Sequence, residues 1–176
     1  REGWPNKKAE ATSCKGIDIV SNASLYNSVE EAIADIEFVF ATSARGRDLN
    51  KKVVSPGEIP AFFGKTSIGV LFGCESSGLS NSELMLADQI ISIPTTEKRS
   101  LNISHAAAII CYEFSKGLIK NNLSSKIPVS NTGLVRKSDI LVLFNRLFNE
   151  LDSRKFFRVE EKKTIMADKI KNLLTK

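Results

Sequence analysis

From residue 28 onward, apolar positions switch repeatedly between the 3-and-4 spacing of a helix and the unbroken runs of a buried strand. Val29, Ala32, Ile33 and Ile36 recur at 3, 4 and 7, and Ser28 with Glu31 has capping-box spacing, which predicts a helix with one apolar stripe laid on a sheet. Residues 37–41 then read as a buried strand. The stretch after it, Thr42-Ser43-Ala44-Arg45-Gly46-Arg47-Asp48, is too polar for a core and belongs at the exposed carboxyl end of that strand. A short helix is predicted over 56–63. Residues 67–72 form a second buried strand ended by Gly73, and Ser80 with Glu83 caps a helix through Ala87. Residues 89–93 form a third strand, closed by Pro94, and the loop 95–100 leads into a long helix over 101–118, stopped by Gly117 and the Asn121-Asn122 pair. Ahead of all this, residues 5–15 can form a short helix closed by Gly16, and 17–26 is a broken β-like stretch. Repeats of strand, loop and helix define an α/β class with a parallel sheet covered by helices.

Beyond residue 120 the strand runs stop. Residues 121–132 are rich in Ser and Asn and contain Pro128, as a linker is. Ile140, Leu143, Phe144, Leu147, Phe148 and Leu151 then mark a helix over 138–152. Met166, Ile170, Leu173 and Leu174 mark the inward side of another over 162–174, and the two can pack as a hairpin. The expected organisation is an α/β domain over 1–120, a linker over 121–137 and a small helical extension over 138–176. The chain opens Arg1-Glu2-Gly3-Trp4-Pro5 without Met and without a first strand, so further residues of the domain are expected upstream of Arg1.

Composition narrows the class. With 42% hydrophobic residues the chain can bury a core, and no apolar run approaches the roughly 18 residues of a membrane span. Cys14, Cys74 and Cys111 contain no C-x-x-C pair, and His105 is the one histidine, so neither a disulfide scaffold nor a classical zinc module is expected. No signal peptide is visible, and unpaired thiols suit a cytoplasmic location. Charge is uneven: residues 1–119 hold 12 Lys and Arg against 14 Asp and Glu, whereas residues 120–176 hold 13 against 6. A basic appendage suits a polyanion such as RNA, although a solvated helix surface would carry the same charges. Arg154, Lys155, Arg158, Lys162 and Lys163 cluster where the two last helices would turn.

Ligands of open parallel sheets bind where strand carboxyl ends meet loops, and three such loops are unusual here. They are Thr42 to Arg45, Phe72 to Asn81, and Ile93-Pro94 onward to Ser104. Gly73 would let a ligand approach the backbone and Gly78 would permit a tight turn, though either also serves as a plain turn glycine. Phe63-Gly64-Lys65-Thr66 imitates the end of a P-loop, but Ile59 stands where its first glycine is needed and a strand follows where a helix must. His105, inside an apolar helix, reads as a core residue rather than a catalyst.

Together the three loops resemble the motifs of SpoU-type members of the SPOUT class of S-adenosylmethionine-dependent RNA methyltransferases. Gly69-Val70-Leu71-Phe72-Gly73-Cys74-Glu75-Ser76-Ser77-Gly78-Leu79 matches their strand-G-x-E-x-x-G-L motif, and Ser100-Leu101-Asn102-Ile103-Ser104 before an Ala-rich helix ending in Tyr112-Glu113 matches S-L-N-x-S. Thr42-Ser43-Ala44-Arg45-Gly46-Arg47 resembles more narrowly the subgroup that methylates the anticodon-loop ribose of tRNA and carries a C-terminal helical extension. The resemblance implies a trefoil α/β knot over about residues 68–118, an exception to the usual absence of knots. It implies a methyl donor, S-adenosylmethionine, held by Thr42, Ser43, Ala44, Gly73 and Ile93 and enclosed by Ser100, Leu101 and Asn102, with no metal. It places Glu75 and Asn102 at the reaction centre, Arg45 and Arg47 toward RNA with the basic cluster at 154–163, and a principal catalytic Arg upstream of Arg1. It further implies a homodimer through the knot region, with the apolar run Ala106 to Cys111 partly covered by the second subunit. Position 74 departs from the pattern, being Cys where many relatives have Arg or Pro. The implied activity is 2′-O-methylation of cytidine or uridine in tRNA. Two other readings are 2′-O-methylation of rRNA and a non-catalytic RNA-binding or cofactor-sensing module of the same fold.

Overall fold

Four parallel strands form the sheet in the computed structural model, among the residues it describes, which are residue 4 and residues 6–45, 50–62, 67–96, 100–121, 135–157 and 160–174. They are β1 (Phe38–Thr42), β2 (Val53–Val54), β3 (Ile68–Leu71) and β4 (Gln89–Ile91), in the order β2-β4-β1-β3. In register, Phe40 of β1 faces Val70 of β3 on one side and Gln89 of β4 on the other. The two-residue β2 has no recognisable sequence pattern. Its place in the sheet comes from pairing with Ile90 and Ile91, a tertiary effect that periodicity does not register.

The chain divides into two compact units, Arg1–Ala32 and Ile33–Lys176. In the first, α1 (Lys7–Thr12) starts at Asn6, whose side chain accepts from the Ala9 amide, and a 3-10 turn (Cys14–Gly16) leads into α2 (Ile17–Ser21). The β-like reading of 17–26 is therefore corrected. Ile19 is 78% exposed, so its alternation marks no buried face, and the Asn22 amide donates to the Asp18 carbonyl as a helix requires. The third helix, α3 (Val29–Ala32), is shorter than its apolar spacing predicts. Its Ser28 hydroxyl accepts from the Glu31 amide, while the Glu31 carboxylate reaches the Asn27 amide.

The second unit holds the sheet. Phe40, Val54, Ile59, Ile91 and Ile110 are fully buried together, with Phe38, Ile68, Val70, Phe72, Ile93 and Phe114 packed against them. On this face α5 (Ile103–Asn121) packs on a 3-10 helix (Pro56–Phe62), which stands where the short helix over 56–63 was expected. Val39 alternates to the opposite face and is equally buried. Helix α4 (Asn81–Leu86) carries the expected capping box. The Ser80 hydroxyl accepts from the Glu83 amide, and the Glu83 carboxylate accepts from the Ser80 amide and from the Ser80 hydroxyl, two bonds that lower its pKa. Helix α5 runs through Gly117 to Asn121 rather than stopping at the glycine, since one glycine costs a helix only about 1 kcal/mol.

The C-terminal helices α6 (Lys137–Ser153) and α7 (Glu160–Leu174) pack on each other, and α7 also packs on α4. Two details of their expected stripes are corrected. Leu143 and Leu147 of α6 are exposed, because Phe144, Phe148 and Phe157 fill the space between the helices, and Leu173 of α7 is 70% exposed while Asn172 turns inward. The expected linker lies almost wholly outside the described residues, as do Arg47, Arg158 and the imitation P-loop from Phe63 to Thr66.

Candidate active site

The carboxyl ends of β1, β3 and β4 open into one cavity of about 250 Å3, built entirely within the second unit. Its lining includes Thr42, Ser43, Ala44, Gly73, Ile93, Ser100 and Leu101, together with Arg45, Cys74 and Glu75. Asn102 does not line it. Its Nδ2 instead donates to Glu75 Oε1 at 2.9 Å, and its Oδ1 accepts from the Ser104 amide at 2.8 Å. One side chain thus caps α5 and fixes the carboxylate that stands 27 residues earlier. Cap and site roles coincide because the third loop ends where the helix begins.

The loops are held by few groups, each traceable to residue type. Thr42 Oγ1 donates to the Leu71 carbonyl at 3.0 Å, tying the end of β1 to the end of β3. The Ser43 amide donates to the Ile91 carbonyl, and Ser43 Oγ accepts from the Arg45 amide, which shapes the first loop without glycine. In the second loop the Gly78 amide donates to the Cys74 carbonyl at 2.8 Å and Gly78 takes φ +71°, a conformation side chains resist.

The expectation for Gly73 is corrected in its reason. A Cβ there would lie 2.2 Å from the Gly78 carbonyl carbon and 2.3 Å from the Leu79 nitrogen, so the absent side chain makes room for the loop's own return, not directly for a ligand. Cys74 is exposed, with Sγ 2.8 Å from Ser77 Oγ. That hydroxyl, with Ser76 behind it, holds the thiol pKa down to about 7. Spacing gave no sign of this network, since serines in a loop are unremarkable until the turn folds them onto the sulfur. His105 is exposed and so is not the core residue expected. It falls on the side of α5 that also shows Ile109 and Tyr112, whereas Ile110 faces the sheet.

Away from the cavity the basic cluster is partly engaged. Arg154 pairs with Glu150 at 2.7 Å, and Lys163 pairs with Asp152 at 2.7 Å while lying over the Phe148 ring. Lys155 and Lys162 are exposed. Among the described residues no group of three His, Cys, Asp or Glu side chains could hold a metal ion, and no helix is long and apolar enough to cross a membrane.

Parallel strands with a pocket at their carboxyl ends define an α/β ligand-binding protein, and the three loops assign its family. A profile of the SpoU rRNA Methylase family matches residues 2–112, and the chain belongs to that family. It is 37% identical, over 97% of its length and 75% of the relative's, to the tRNA (cytidine-2′-O-)-methyltransferase TrmJ of Methanocaldococcus jannaschii. It is 34% identical to the uncharacterized tRNA/rRNA methyltransferase LasT of Escherichia coli, over 56% of its own length and 46% of that protein's. The crystal structure of TrmJ from Z. mobilis ZM4 superposes with a TM-score of 0.87 at 27% identity, covering the whole of this chain and 75% of that one.

Proposed function

We propose that the chain binds S-adenosylmethionine in this cavity and methylates the ribose 2′-hydroxyl of a cytidine or uridine in the anticodon loop of tRNA. The observation that carries this reading is the Asn102–Glu75 hydrogen bond, which joins two of the three family loops beside a cavity that the third completes. The donor set suits the ligand: Ile91, Ile93, Leu101 and Ile103 offer apolar wall for an adenine, and among the described residues Glu75 is the one carboxylate in the lining. Thr42, Ser43, Ala44, Gly73 and Ile93 would hold the donor through backbone groups, Ser100 and Leu101 would enclose it, and Asn102 would act behind them by holding Glu75.

When bound, the donor supplies a methyl carbon on a sulfonium, to which the 2′-oxygen bonds as the carbon–sulfur bond breaks. The residues then have to align the hydroxyl and take its proton. Asn102 occupies Glu75 Oε1, which leaves Oε2 as the atom that accepts from the hydroxyl. Arg45 at the cavity rim meets phosphate, joined by Arg47 and the C-terminal cluster. By the same resemblance the chain from about 68 to 118 is threaded as a knot, a reading supported by the insertion of β4 between β1 and β2. The exposed side of α5, with His105, Ile109 and Tyr112, supports a homodimer in which a second copy covers it. Three exposed unpaired thiols support action in the cytoplasm.

The test is transfer of a labelled methyl group from S-adenosylmethionine to tRNA, with the 2′-O-methyl nucleoside located by digestion and mass spectrometry. Calorimetric binding of the donor without transfer to tRNA or rRNA would favour the cofactor-sensing module instead.

A further inference from the structure

One buried ion pair lies at the opposite end of the sheet from the cavity. Lys137, the first residue of α6, is 2% exposed, and its ammonium meets Asp88 Oδ1. The other carboxylate oxygen of Asp88 accepts from the Val39 amide at 2.7 Å, while the Asp88 amide donates to the Val39 carbonyl at 2.7 Å. Asp88 immediately precedes β4 and Val39 is the second residue of β1, so the carboxylate stitches together the amino ends of two strands whose carboxyl ends build the cavity.

The backbone completes the joint. The amides of Lys137 and Ser138, which a helix start leaves without internal partners, donate to the carbonyls of Ile36 and Ala34, just ahead of β1. Lys51 adds a further donor, to the Ala87 carbonyl. A lone surface pair would hold two elements loosely, but here the ammonium, both Asp88 oxygens and the first amides of α6 all bond across the same joint, which narrows the arrangements open to it.

We infer that Asp88 and Lys137 are positioning residues, which lock the C-terminal helical hairpin to the strands of the cavity and so fix where its basic residues meet RNA. The inference rests on the reading of the hairpin as an RNA contact. Neither residue touches donor or reacting atoms. Their effect reaches tRNA through the placement of α6 against the amino ends of β1 and β4, away from the cavity, and its signature is weaker tRNA capture with unchanged donor binding.

The experiment compares K137M, D88N and the double variant D88N/K137M with the parent protein. Hydrogen exchange follows the amides of α6, calorimetry follows S-adenosylmethionine, and steady-state methylation follows kcat and KM for tRNA. K137M leaves the half-buried Asp88 without its ion partner, so exchange in the first turn of α6 should rise at least about tenfold, KM for tRNA should rise by roughly the same factor, and kcat and donor affinity should stay within about twofold. In the double variant both charges are gone while an acceptor for the Val39 amide remains, so protection and KM should return most of the way. Should the single variants fold poorly, this recovery still decides the matter. Unchanged exchange of α6 in K137M, no recovery in the double variant, or donor affinity and kcat falling together with KM would overturn the proposal. If the parent transfers no methyl to tRNA, the functional reading fails while the exchange arm still reports on the lock.

Discussion

At the cavity the polar side chains are tied across long stretches of chain: Asn102 to Glu75, Thr42 to Leu71, the Ser43 amide to Ile91. In the C-terminal hairpin the charged side chains bond mostly to near neighbours, Arg154 to Glu150 within one turn of α6 and Lys163 to Asp152 across the inter-helix turn. Long-range bonds fix three loops relative to one another, which is what a small ligand demands. Local pairs of exposed ions contribute little to stability and leave net charge diffuse, which is all that phosphate attraction demands. The two regions should therefore fail differently. Single substitutions at the cavity should be all-or-none, and those on the hairpin graded.

The sharpest break in that comparison is at Gly73. Its Cβ would stand closer than contact distance to backbone on the returning strand of its own loop, and backbone cannot swing aside as a flexible side chain does. G73A should already open the turn at Cys74–Gly78, and G73V should cost donor binding about 3 kcal/mol, roughly a hundredfold in affinity by calorimetry. Tight binding by G73V would show that the second loop is not part of the donor site.

Asn102 comes next. N102D keeps an oxygen to cap the Ser104 amide, so α5 should keep its start and Tm should move by only a few degrees. The same change replaces the donor facing Glu75 by a second carboxylate, and the rate of methyl transfer should fall about 10- to 100-fold. N102A, which loses both bonds, should lose stability as well, by about 1 kcal/mol in denaturant titration. Equal stability loss in the two variants would make the Glu75 contact incidental.

A smaller effect is expected at Cys74. With its thiol held near 7 by the Ser77 hydroxyl, the reactive thiolate grows as pH rises through about 7. Alkylation by iodoacetamide, followed by mass spectrometry with exposed Cys14 and Cys111 as internal references, should show that midpoint. S77A should move it upward toward the usual 9, and alkylation at pH 7 should slow several-fold. A midpoint indifferent to S77A would mean that the loop in solution does not hold serine against sulfur.

Much of the fold was legible because its strands are short unbroken apolar runs and its helices begin at cappable residues. Ser80 with Glu83 announces α4 by side chains that bond within four positions. What escaped is non-local. Nothing at Val53–Val54 announces a strand until Ile90 and Ile91 pair with it, and Lys137 reads as a surface lysine until Asp88, 49 positions earlier, is brought under it. The reverse error, at residues 17–26, has the same root: apolar alternation counts as a strand only where there is something to bury it. At the cavity the three loops could be read as motifs because each is contiguous, whereas the Asn102–Glu75 bond, the sulfur–serine contact and the crowding around Gly73 arise only on closure.

The smallest predicted effect separates two lysines that the sequence cannot tell apart. Lys162 is exposed, while the neighbouring Lys163 is 23% exposed in its side chain, paired with Asp152 and laid over Phe148. A lysine that meets phosphate releases counterion on binding, so removing it lowers the slope of log affinity against log salt by about 1, whatever the tRNA sequence. K162A should do this with no change in Tm. K163A should alter the slope less, because much of that ammonium's field already ends on Asp152, and should instead cost up to about 1 kcal/mol through the lost ion pair and ring contact. Filter-binding titrations of tRNA at several salt concentrations, with thermal unfolding of the same variants, distinguish the two. If both variants leave the slope intact, the hairpin is a solvated surface, and the phosphate contacts belong with Arg45 beside the cavity.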